Sequence, residues 1–380
     1  MIPKSSLYNL RVRELTIKGP ALRKLKGNQP NTLSEMLALE DIIVRLKSLR
    51  VPADALTWNR FSGSLLLVLL ALLFLSGAFM TFYYSPVPGV AYDSVDYALF
   101  SLPFGDVIKG VHYYSWNILL MVLGLHLARA FIVGAYKSPR QLVWVSGVLI
   151  MLLIPLLIIT GDLLPWDQNG FWTTQVRISI IASVPVVGDF MVRLIQGGPL
   201  TGIVALTRFY VLHIFFLPVF LIFLAVIHFH FLKQRGLSGS WDENHSNRQT
   251  ISLFPQLVNR WLLLFLVVTL VLGLISWYWP APLGDPADPT DSTFVPRPEW
   301  WVLFLNQLVT VFKGSLTVIG SVIIPGGLAA LLMALPFLDT SPDRHPARRK
   351  KVILIAVIIA IILLGLSLLG YVEHFNEPHS

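Results

Sequence analysis

The sequence contains no cysteine. This excludes disulfides, thioether-linked haem, thiolate-held iron–sulfur clusters and thiol catalysis within the chain. Charged residues are also scarce, at 13% of 380 residues against 55% hydrophobic residues, which is far from the balance of an ordinary soluble domain. No Gly-rich phosphate loop and no Ser or Cys nucleophile motif stands out. The sequence therefore gives no support to a nucleotide-binding enzyme or to a hydrolase of the serine or cysteine type.

Long apolar runs take the place of these features. Several nearly uncharged stretches exceed 18 residues, which is the length that a transmembrane helix needs. We predict an all-α integral membrane protein with about seven spans. The predicted spans are residues 62–84, 112–136, 142–161, 209–232, 261–280, 316–337 and 352–371.

The polar segments divide the chain into four parts. Residues 1–60 form a basic N-terminal arm, partly an amphipathic helix. Residues 61–232 form a unit of four spans, residues 233–258 a polar linker, and residues 259–380 a C-terminal unit of three spans. The long connection 162–208 is amphipathic with Pro and Gly breaks, so we expect short helices along the membrane surface there.

The net charge of +8 is distributed in alternating loops. Lys and Arg concentrate in residues 1–60, 137–140, 233–260 and 344–351, whereas the intervening loops hold most of the acids. This is the positive-inside pattern, and it predicts a cytoplasmic N-terminus, in a bacterial cytoplasmic membrane rather than a thylakoid or mitochondrial one. Anionic lipid explains the basic patches better than nucleic acid does.

Two pairs of histidines lie inside the apolar runs. His112 and His126 are 14 residues apart, and His213 and His228 are 15 apart. Four helical turns take about 14.4 residues, so each pair lies on nearly one helix face, separated by roughly 21–22 Å. Two such helices facing each other would offer two bis-imidazole sites stacked across a bilayer, the arrangement of two haems in series.

A structural role for these histidines remains an alternative. A lone histidine in a span is more often a hydrogen-bonded structural residue than a ligand, but two pairs at four-turn spacing are harder to explain in that way. His230 is expected to be no ligand, because it lies on another helix face near the end of its span.

Glycines repeat the spacing of the histidines. Gly63 and Gly77 are 14 apart on the first span, as are Gly147 and Gly161 on the third. Glycine costs a helix about 1 kcal/mol relative to alanine, and it allows a flat or bulky group to approach the backbone. We predict that these glycines make room for two macrocycles. Ordinary helix packing is the alternative, although it does not predict the shared period.

Three cations lie near the histidines along the chain. Lys109 precedes His112, Arg129 follows His126 and Arg208 precedes the third ligand. Each is a candidate to neutralise a haem propionate. Interfacial snorkelling explains each of them equally well when it is taken singly.

Several segments together resemble cytochrome b of the quinol–cytochrome c oxidoreductase (bc1/b6f) family. They are HLARAFIVGAYKSPRQLVWVSG, GDLLPWDQNGFW, SVPVVGDFMVRLIQGG, ALTRFYVLHIFFLPV, KQRGLSG and PEWW. The 15-residue histidine spacing and the MTFYY run at Met80 to Tyr84 are closest to the b6 branch, and LPFLDTSPDRHPARRK is similar to subunit IV of that branch. The chain resembles b6 fused to subunit IV over roughly residues 51–351.

The resemblance implies two non-covalent b-type haems and a quinol or quinone substrate. It pairs His112 with His213 near the positive side, and His126 with His228 near the negative side. The predicted topology agrees, because the two histidine-bearing spans run in the same direction. The family cysteine that attaches an extra haem corresponds to Phe61, so no covalent c-type haem is expected.

The resemblance also implies the site of quinol oxidation. The family's PEWY motif is Pro298, Glu299, Trp300 and Trp301 here, and Glu299 matches the carboxylate that accepts a quinol proton. Without the surrounding motif, a solvated loop carboxylate would be the better interpretation. Trp301 replaces a tyrosine and removes its hydroxyl.

For the quinone site on the negative side, proximity to the end of the fourth span makes Lys233, Arg235 and Asp242 candidates.

The expected function is the catalytic membrane subunit of a multi-subunit quinol oxidoreductase that works by a Q-cycle. Electrons would pass from the positive-side haem to the negative-side haem. The implied partners are a Rieske-type iron–sulfur protein, a c-type cytochrome or equivalent, and a second copy of the complex. Two alternatives remain: a di-haem membrane anchor of another quinone-linked oxidoreductase, of the nitrate reductase or hydrogenase type, and a non-redox transporter or scaffold.

Overall fold

The computed structural model describes residues 61–198, 200–236, 238 and 250–376, together with residues 44, 47, 48 and 50–52. Most of the predicted arm and Asp242 lie outside these residues. Strand β1 (Arg50–Pro52) pairs antiparallel with β2 (Thr250–Ser252), with Val51 opposite Ile251. The end of the arm therefore lies against the segment that leads into the C-terminal unit.

Most of the described residues are helical. The first four helices are α1 (Phe61–Thr81), α2 (Pro88–Phe100), α3 (Gly105–Ile132) and α4 (Gln141–Asp162). Next come α5 (Gln168–Ala182), α6 (Gly188–Gln196) and α7 (Ile203–Arg235). The C-terminal unit contains α8 (Leu253–Tyr278), α9 (Leu303–Val311), α10 (Gly314–Leu338) and α11 (Lys350–Asn376).

The seven predicted spans are confirmed as α1, α3, α4, α7, α8, α10 and α11, the seven described helices that are long and apolar enough to cross a membrane. Three helices begin earlier than predicted, α3 at Gly105 rather than 112, α7 at Ile203 rather than 209 and α8 at Leu253 rather than 261. Hydropathy marks only the apolar part of a helix, and the added residues include charged side chains such as Lys109, Arg208 and Arg260. The short helices expected in residues 162–208 are α5 and α6.

The predicted linker 233–258 is helical at both ends. Helix α7 continues to Arg235, and α8 begins at Leu253. The polar composition of residues 233–235 marks the point where α7 leaves the apolar layer, not the point where the helix ends.

The four-helix unit encloses an apolar core midway between the histidines. Helix α1 packs against α3, α4 packs against α7, and α8 packs on the outer side of α3. Leu69 of α1, Leu119 of α3 and Leu221 of α7 are buried in this core. Leu119 is seven residues from each histidine of its helix, so the core separates two layers of histidines.

Helix α7 contains a π turn at its first histidine. Residues Leu212–Phe216 form this turn, with the N–H of Leu217 donating to the carbonyl of Leu212. A π turn accommodates one residue more than an α turn, so the 15 residues between His213 and His228 cover the height that 14 cover in α3. Pro218 favours this irregularity because it lacks the N–H that an α-helix would use there.

Two loops join the N-terminal and C-terminal units at the end of the bundle that carries His112 and His213. The backbone N–H of Gln168 donates to Asp285 O (2.9 Å), and that of Ala287 donates to Trp166 O (3.0 Å). The Asp167 carboxylate accepts from the N–H groups of Gly170 and Gly284. These bonds bring the segment that leads to Glu299 against the end of α4.

A buried ionic cluster joins the same two units at the opposite end. Lys137 donates to Asp339 Oδ1 (2.6 Å), and the Tyr136 hydroxyl donates to the other carboxylate oxygen (2.5 Å). Arg349 bonds the Tyr136 hydroxyl and the carbonyls that end α3. The side chains of Lys137, Asp339 and Arg349 are 4%, 8% and 1% exposed. Although burial opposes ionisation, the hydrogen bonds from Lys137 and Tyr136 hold the pKa of Asp339 below its usual value.

Candidate functional site

His112 and His213 face each other across the bundle. Their ring centroids are 6.3 Å apart and their planes make an angle of 63°. Two imidazoles that bind one metal ion through nitrogens at about 2 Å have ring centres roughly 6 Å apart. The spacing of this pair therefore fits one metal ion bound between the two rings. In the other layer, His126 and His228 are close enough to interact electrostatically.

A hydroxyl lies within hydrogen-bond distance of the Nδ1 atom of each histidine, and His213 Nδ1 also contacts the carbonyl oxygen of Leu157 (2.9 Å). The four hydroxyl contacts are Ser62 to His126 (2.9 Å), Ser76 to His112 (3.0 Å), Ser146 to His228 (3.0 Å) and Thr160 to His213 (3.3 Å). Ser76, Ser146 and Thr160 also donate to the carbonyl four residues earlier. A hydroxyl that donates its proton there accepts from Nδ1–H, which leaves the lone pair of Nε2 for a metal.

These hydroxyls were missed in the sequence, although they leave a signal. Each immediately precedes one of the four spaced glycines, which gives four Ser-Gly or Thr-Gly pairs with the same period. The glycine period indicates room for a large group, and the residue before each glycine carries the further signal that a hydroxyl holds the ligand.

The structure places each predicted glycine against one histidine ring. A Cβ atom added at Gly161 would lie 2.8 Å from His213 Cε1, and one at Gly77 would lie 3.2 Å from His112 Cε1. In the other layer, the corresponding distances are 3.3 Å for Gly147 and 3.6 Å for Gly63. A side chain at Gly161 would therefore collide with its histidine, whereas one at Gly63 would make an ordinary contact.

The residues present fit two haems, one in each layer. Each layer has two imidazoles with Nδ1 occupied, and each ring lies beside backbone without a side chain. The donor set of two nitrogens is the one that a bis-histidine haem uses. Among the described residues, no group of three or more His, Asp or Glu side chains is arranged to hold a metal ion.

The predicted propionate partners have other bonds in the structure. Lys109 Nζ donates to Pro282 O (2.6 Å), and Arg208 Nη1 donates to Leu194 O (2.6 Å). Arg129 lies close enough to His126 to interact with it electrostatically. Lys109 lines the cavity that contains His112. Neutralisation of propionates stays a prediction for all three residues.

One large cavity connects the first histidine layer with the loop that carries Glu299. Its volume is about 1370 Å³, more than the range of roughly 300–1000 Å³ that is usual for small-molecule sites. His112 and His213 line one part, and Asp162, Asp167 and Glu299 line another. The cavity is large enough for a second organic molecule beside a macrocycle.

Two side-chain bonds position the loop around Glu299. The Asn169 side chain accepts from the N–H of Arg297 (2.8 Å), and the indole of Trp300 donates to Asn117 Oδ1 (2.8 Å). Glu299 itself caps the 3₁₀ turn Trp300–Val302, directly after Pro298. Burial, and then the charge of Asp162, raise the pKa of Glu299 to about 7.

Trp301, which replaces the family tyrosine, points into protein. Its ring packs against the apolar core of the four-helix unit. Its indole N–H is buried and has no hydrogen-bond partner among the described residues. The hydroxyl of a tyrosine is thus replaced by apolar packing.

The remaining candidates lie at the other end of α7. Lys233 and Arg235 are exposed on its last turn, and Asp242 is outside the described residues. His230 is exposed and contacts Gln234 (2.9 Å), away from the two histidine layers. The quinone site on the negative side therefore stays a prediction.

This fold and this site define a class: helical membrane proteins that can hold haem between two layers of histidines in their spans. The comparison with known proteins is more specific. A family described as "Cytochrome b(N-terminal)/b6/petB" matches residues 117–286, and one described as "Cytochrome b(C-terminal)/b6/petD" matches residues 286–377.

Similar proteins and a similar structure agree with these matches. Cytochrome b6 of Synechococcus sp. (strain RCC307) is 40% identical over 208 residues, which is 54% of this chain and 94% of the relative. Cytochrome b6 of Prochlorococcus marinus (strain MIT 9211) is 40% identical over 207 residues, with the same coverage. A chain of a "Hyperthermophilic respiratory Complex III" matches with a TM-score of 0.74 and 26% identity, over 89% of this chain and 90% of that one.

The chain belongs to the cytochrome b family, and it joins a b6-like part to a part like subunit IV in one polypeptide. The resemblance stated from the sequence is thereby confirmed, as is the prediction of an integral membrane protein.

Proposed function

We propose that the protein is the di-haem cytochrome b subunit of a quinol:cytochrome c oxidoreductase, or of a complex with an equivalent acceptor. It would oxidise quinol on the positive side of the membrane, reduce quinone on the negative side and so couple electron transport to proton translocation. One observation carries the proposal. A partly buried carboxylate, Glu299, and the histidine pair His112 and His213 line the same cavity.

Quinol oxidation releases two protons and two electrons, and the chain supplies groups for both. Glu299 has a pKa raised to about 7, so near neutral pH it is ionised in part and can accept one proton from quinol. Apolar groups form the larger part of the cavity wall. When bound, the haems supply one-electron transfer between the two histidine layers.

The proposed function also requires partner proteins and a particular membrane. One electron of each quinol must leave on the positive side, to a Rieske-type iron–sulfur protein and then to a c-type cytochrome or an equivalent. The complex would be a homodimer in a bacterial cytoplasmic membrane, with its N-terminus on the cytoplasmic side. Lys233 and Arg235 are the described candidates for the negative-side quinone site.

A di-haem anchor of another oxidoreductase would use the same histidine layers. It would not require an acid such as Glu299 in the first cavity, nor the bonds that fix the Glu299 loop against Asn117 and Asn169. A non-redox scaffold would not require two imidazoles at the spacing of one shared metal ion. A reduced-minus-oxidised visible spectrum separates the scaffold from both haem proteins, because a purified protein without a b-type α-band cannot be either of them.

The test of the proposed site is Glu299→Gln in the purified complex, assayed with a short-chain quinol. Loss of a general base is expected to slow quinol oxidation by about 100-fold or more, with the b-haem spectrum unchanged. Asp189→Asn is the matched control, because it removes an exposed carboxylate from α6. Full activity of Glu299→Gln would contradict the assignment of the proton acceptor.

A further inference from the structure

An ion pair that is largely shielded from water lies at the cavity, and its guanidinium has no role in the site described so far. Asp162 is the last residue of α4, and Arg177 lies in α5. Arg177 Nη2 and Asp162 Oδ2 are 2.6 Å apart, and the two side chains are 18% and 19% exposed. Removing two such charges from water is unfavourable unless their pairing offsets the cost.

Only one member of the ion pair, Asp162, lines the cavity. Asp162 lines the cavity together with Glu299 and His213, whereas Arg177 is not among the lining residues and lies behind its partner. The second guanidinium nitrogen of Arg177, Nη1, is buried without a hydrogen-bond partner among the described residues. The carboxylate is therefore presented to the cavity, and the guanidinium secures it from the protein side.

The charged and titratable groups that face Glu299 come from three elements. They are Asp162 at the end of α4, Arg177 in α5, Asp167 at the start of α5 and Tyr113 in α3. Among the charged groups, Asp162 acts most strongly on Glu299 and favours its protonated form, as does Asp167, while Arg177 opposes them. The hydrogen bonds of Asp167 go to the N–H groups of Gly170 and Gly284, so its structural use is evident. Among the described residues, the Asp162 side chain bonds Arg177 and no backbone N–H group, so a role in fixing a loop does not account for it.

We propose that Asp162, secured by Arg177, is a positioning residue of the quinol-oxidising site, whose negative charge sets how firmly Glu299 holds the proton taken from quinol. The inference rests on the proposed function. A carboxylate without a charged neighbour would release the proton more readily but would also accept it less readily. The ion pair keeps the acceptor balanced between the two steps, because Arg177 offsets part of the charge of Asp162.

The test is the pH profile of quinol oxidation by the purified complex. In Asp162→Asn, Glu299 loses its strongest negative neighbour while the positive charge of Arg177 stays, so its carboxylate form persists to lower pH. We expect the midpoint of the rising limb to fall by about one pH unit. In the double variant Asp162→Asn/Arg177→Gln both charges are absent, and the shift is expected in the same direction but smaller.

Two control variants bracket this result. Asp162→Glu keeps the charge and should restore the wild-type midpoint, and Asp189→Asn removes an exposed carboxylate and should leave it unchanged. A purely structural role for Asp162 would lower the rate at every pH without moving the midpoint, which would overturn the inference. If Asp162→Asn loses its haem because Arg177 is left unpaired, the midpoint is measured in the double variant Asp162→Asn/Arg177→Gln. A midpoint that does not move there would also overturn the inference.

The experiment also separates this inference from the proposed function. If Glu299→Gln keeps full activity, the proposed proton acceptor is wrong. If Glu299→Gln is slow but the midpoint of neither Asp162 variant moves, only the role of Asp162 is overturned. A shift in Asp162→Asn that persists in Asp162→Asn/Glu299→Gln would also contradict it, because the effect is expected to act through Glu299.

Discussion

The four glycines beside the histidines differ in how much space they leave, and this difference predicts a graded response to alanine. At Gly161 the added methyl group would lie 2.8 Å from the His213 ring, well inside the contact distance of about 3.5–4.0 Å between carbon atoms. Overpacking of this kind costs about 1–3 kcal/mol. If the cost falls on the haem-bound state, retention of that haem weakens roughly 5- to 150-fold.

At Gly63, by contrast, the gain in helix stability from alanine should outweigh any steric cost. The added methyl group lies 3.6 Å from His126, an ordinary contact, and alanine stabilises a helix by about 1 kcal/mol relative to glycine. Gly63→Ala is therefore expected to keep its haem. Gly77→Ala at 3.2 Å and Gly147→Ala at 3.3 Å should fall between the two, depending on whether the ring can move by a few tenths of an ångström.

The measurement is haem content per chain after purification, with a redox titration to show which layer is affected. Gly161→Ala should deplete the component of the His112 and His213 layer and spare the other. Gly124→Ala is the control, because it lies on α3 with no atom within 4 Å of the added methyl group. Equal losses for all four variants, or the greatest loss at Gly63, would refute the reasoning from these distances.

Three further predictions concern the hydroxyls, the ionic cluster and the proton acceptor. Ser76→Ala removes an acceptor from His112 Nδ1–H and makes the ligand less electron-rich, so the potential of that haem should rise by a few tens of mV in a redox titration; no change would mean that the hydroxyl does not accept this bond. Asp339→Asn leaves Lys137 and Arg349 buried without their anion and should destabilise the protein by about 3–5 kcal/mol, visible as a lower thermal unfolding temperature, whereas Asp343→Asn breaks an exposed pair worth less than about 1 kcal/mol. With Glu299 at a pKa of about 7, the carboxylate that accepts protons disappears as the pH falls below 7, so quinol oxidation should decline there, and Glu299→Gln should abolish that limb.

The sequence predicts the bundle well because the physics of each element is local. Hydropathy locates the spans, and the shared spacing of the histidines and glycines determines which helix faces turn inward. The pairing of Gly161 with His213 follows from antiparallel neighbours and one period, both of which can be counted along the chain.

The irregular features of the fold could not be predicted from the sequence and are visible only in the structure. The π turn at Leu212–Phe216 depends on how one extra residue is distributed within α7, which hydropathy does not report. The contact of Asp162 with Arg177 depends on the angle at which α5 leaves α4. The bond from Lys109 to Pro282 joins residues far apart in the sequence, so nothing along the chain indicates that this lysine binds a loop carbonyl.

The loop contacts between Gln168 and Asp285 have a consequence for the order in which the protein matures. During synthesis, all four histidines and their glycines reach the membrane before the segment with Glu299 has been made. Membrane domains of this kind can pack as they emerge, N-terminal parts first. The two histidine layers can thus form while the cavity still lacks Glu299, and the cavity is completed only when the last spans dock.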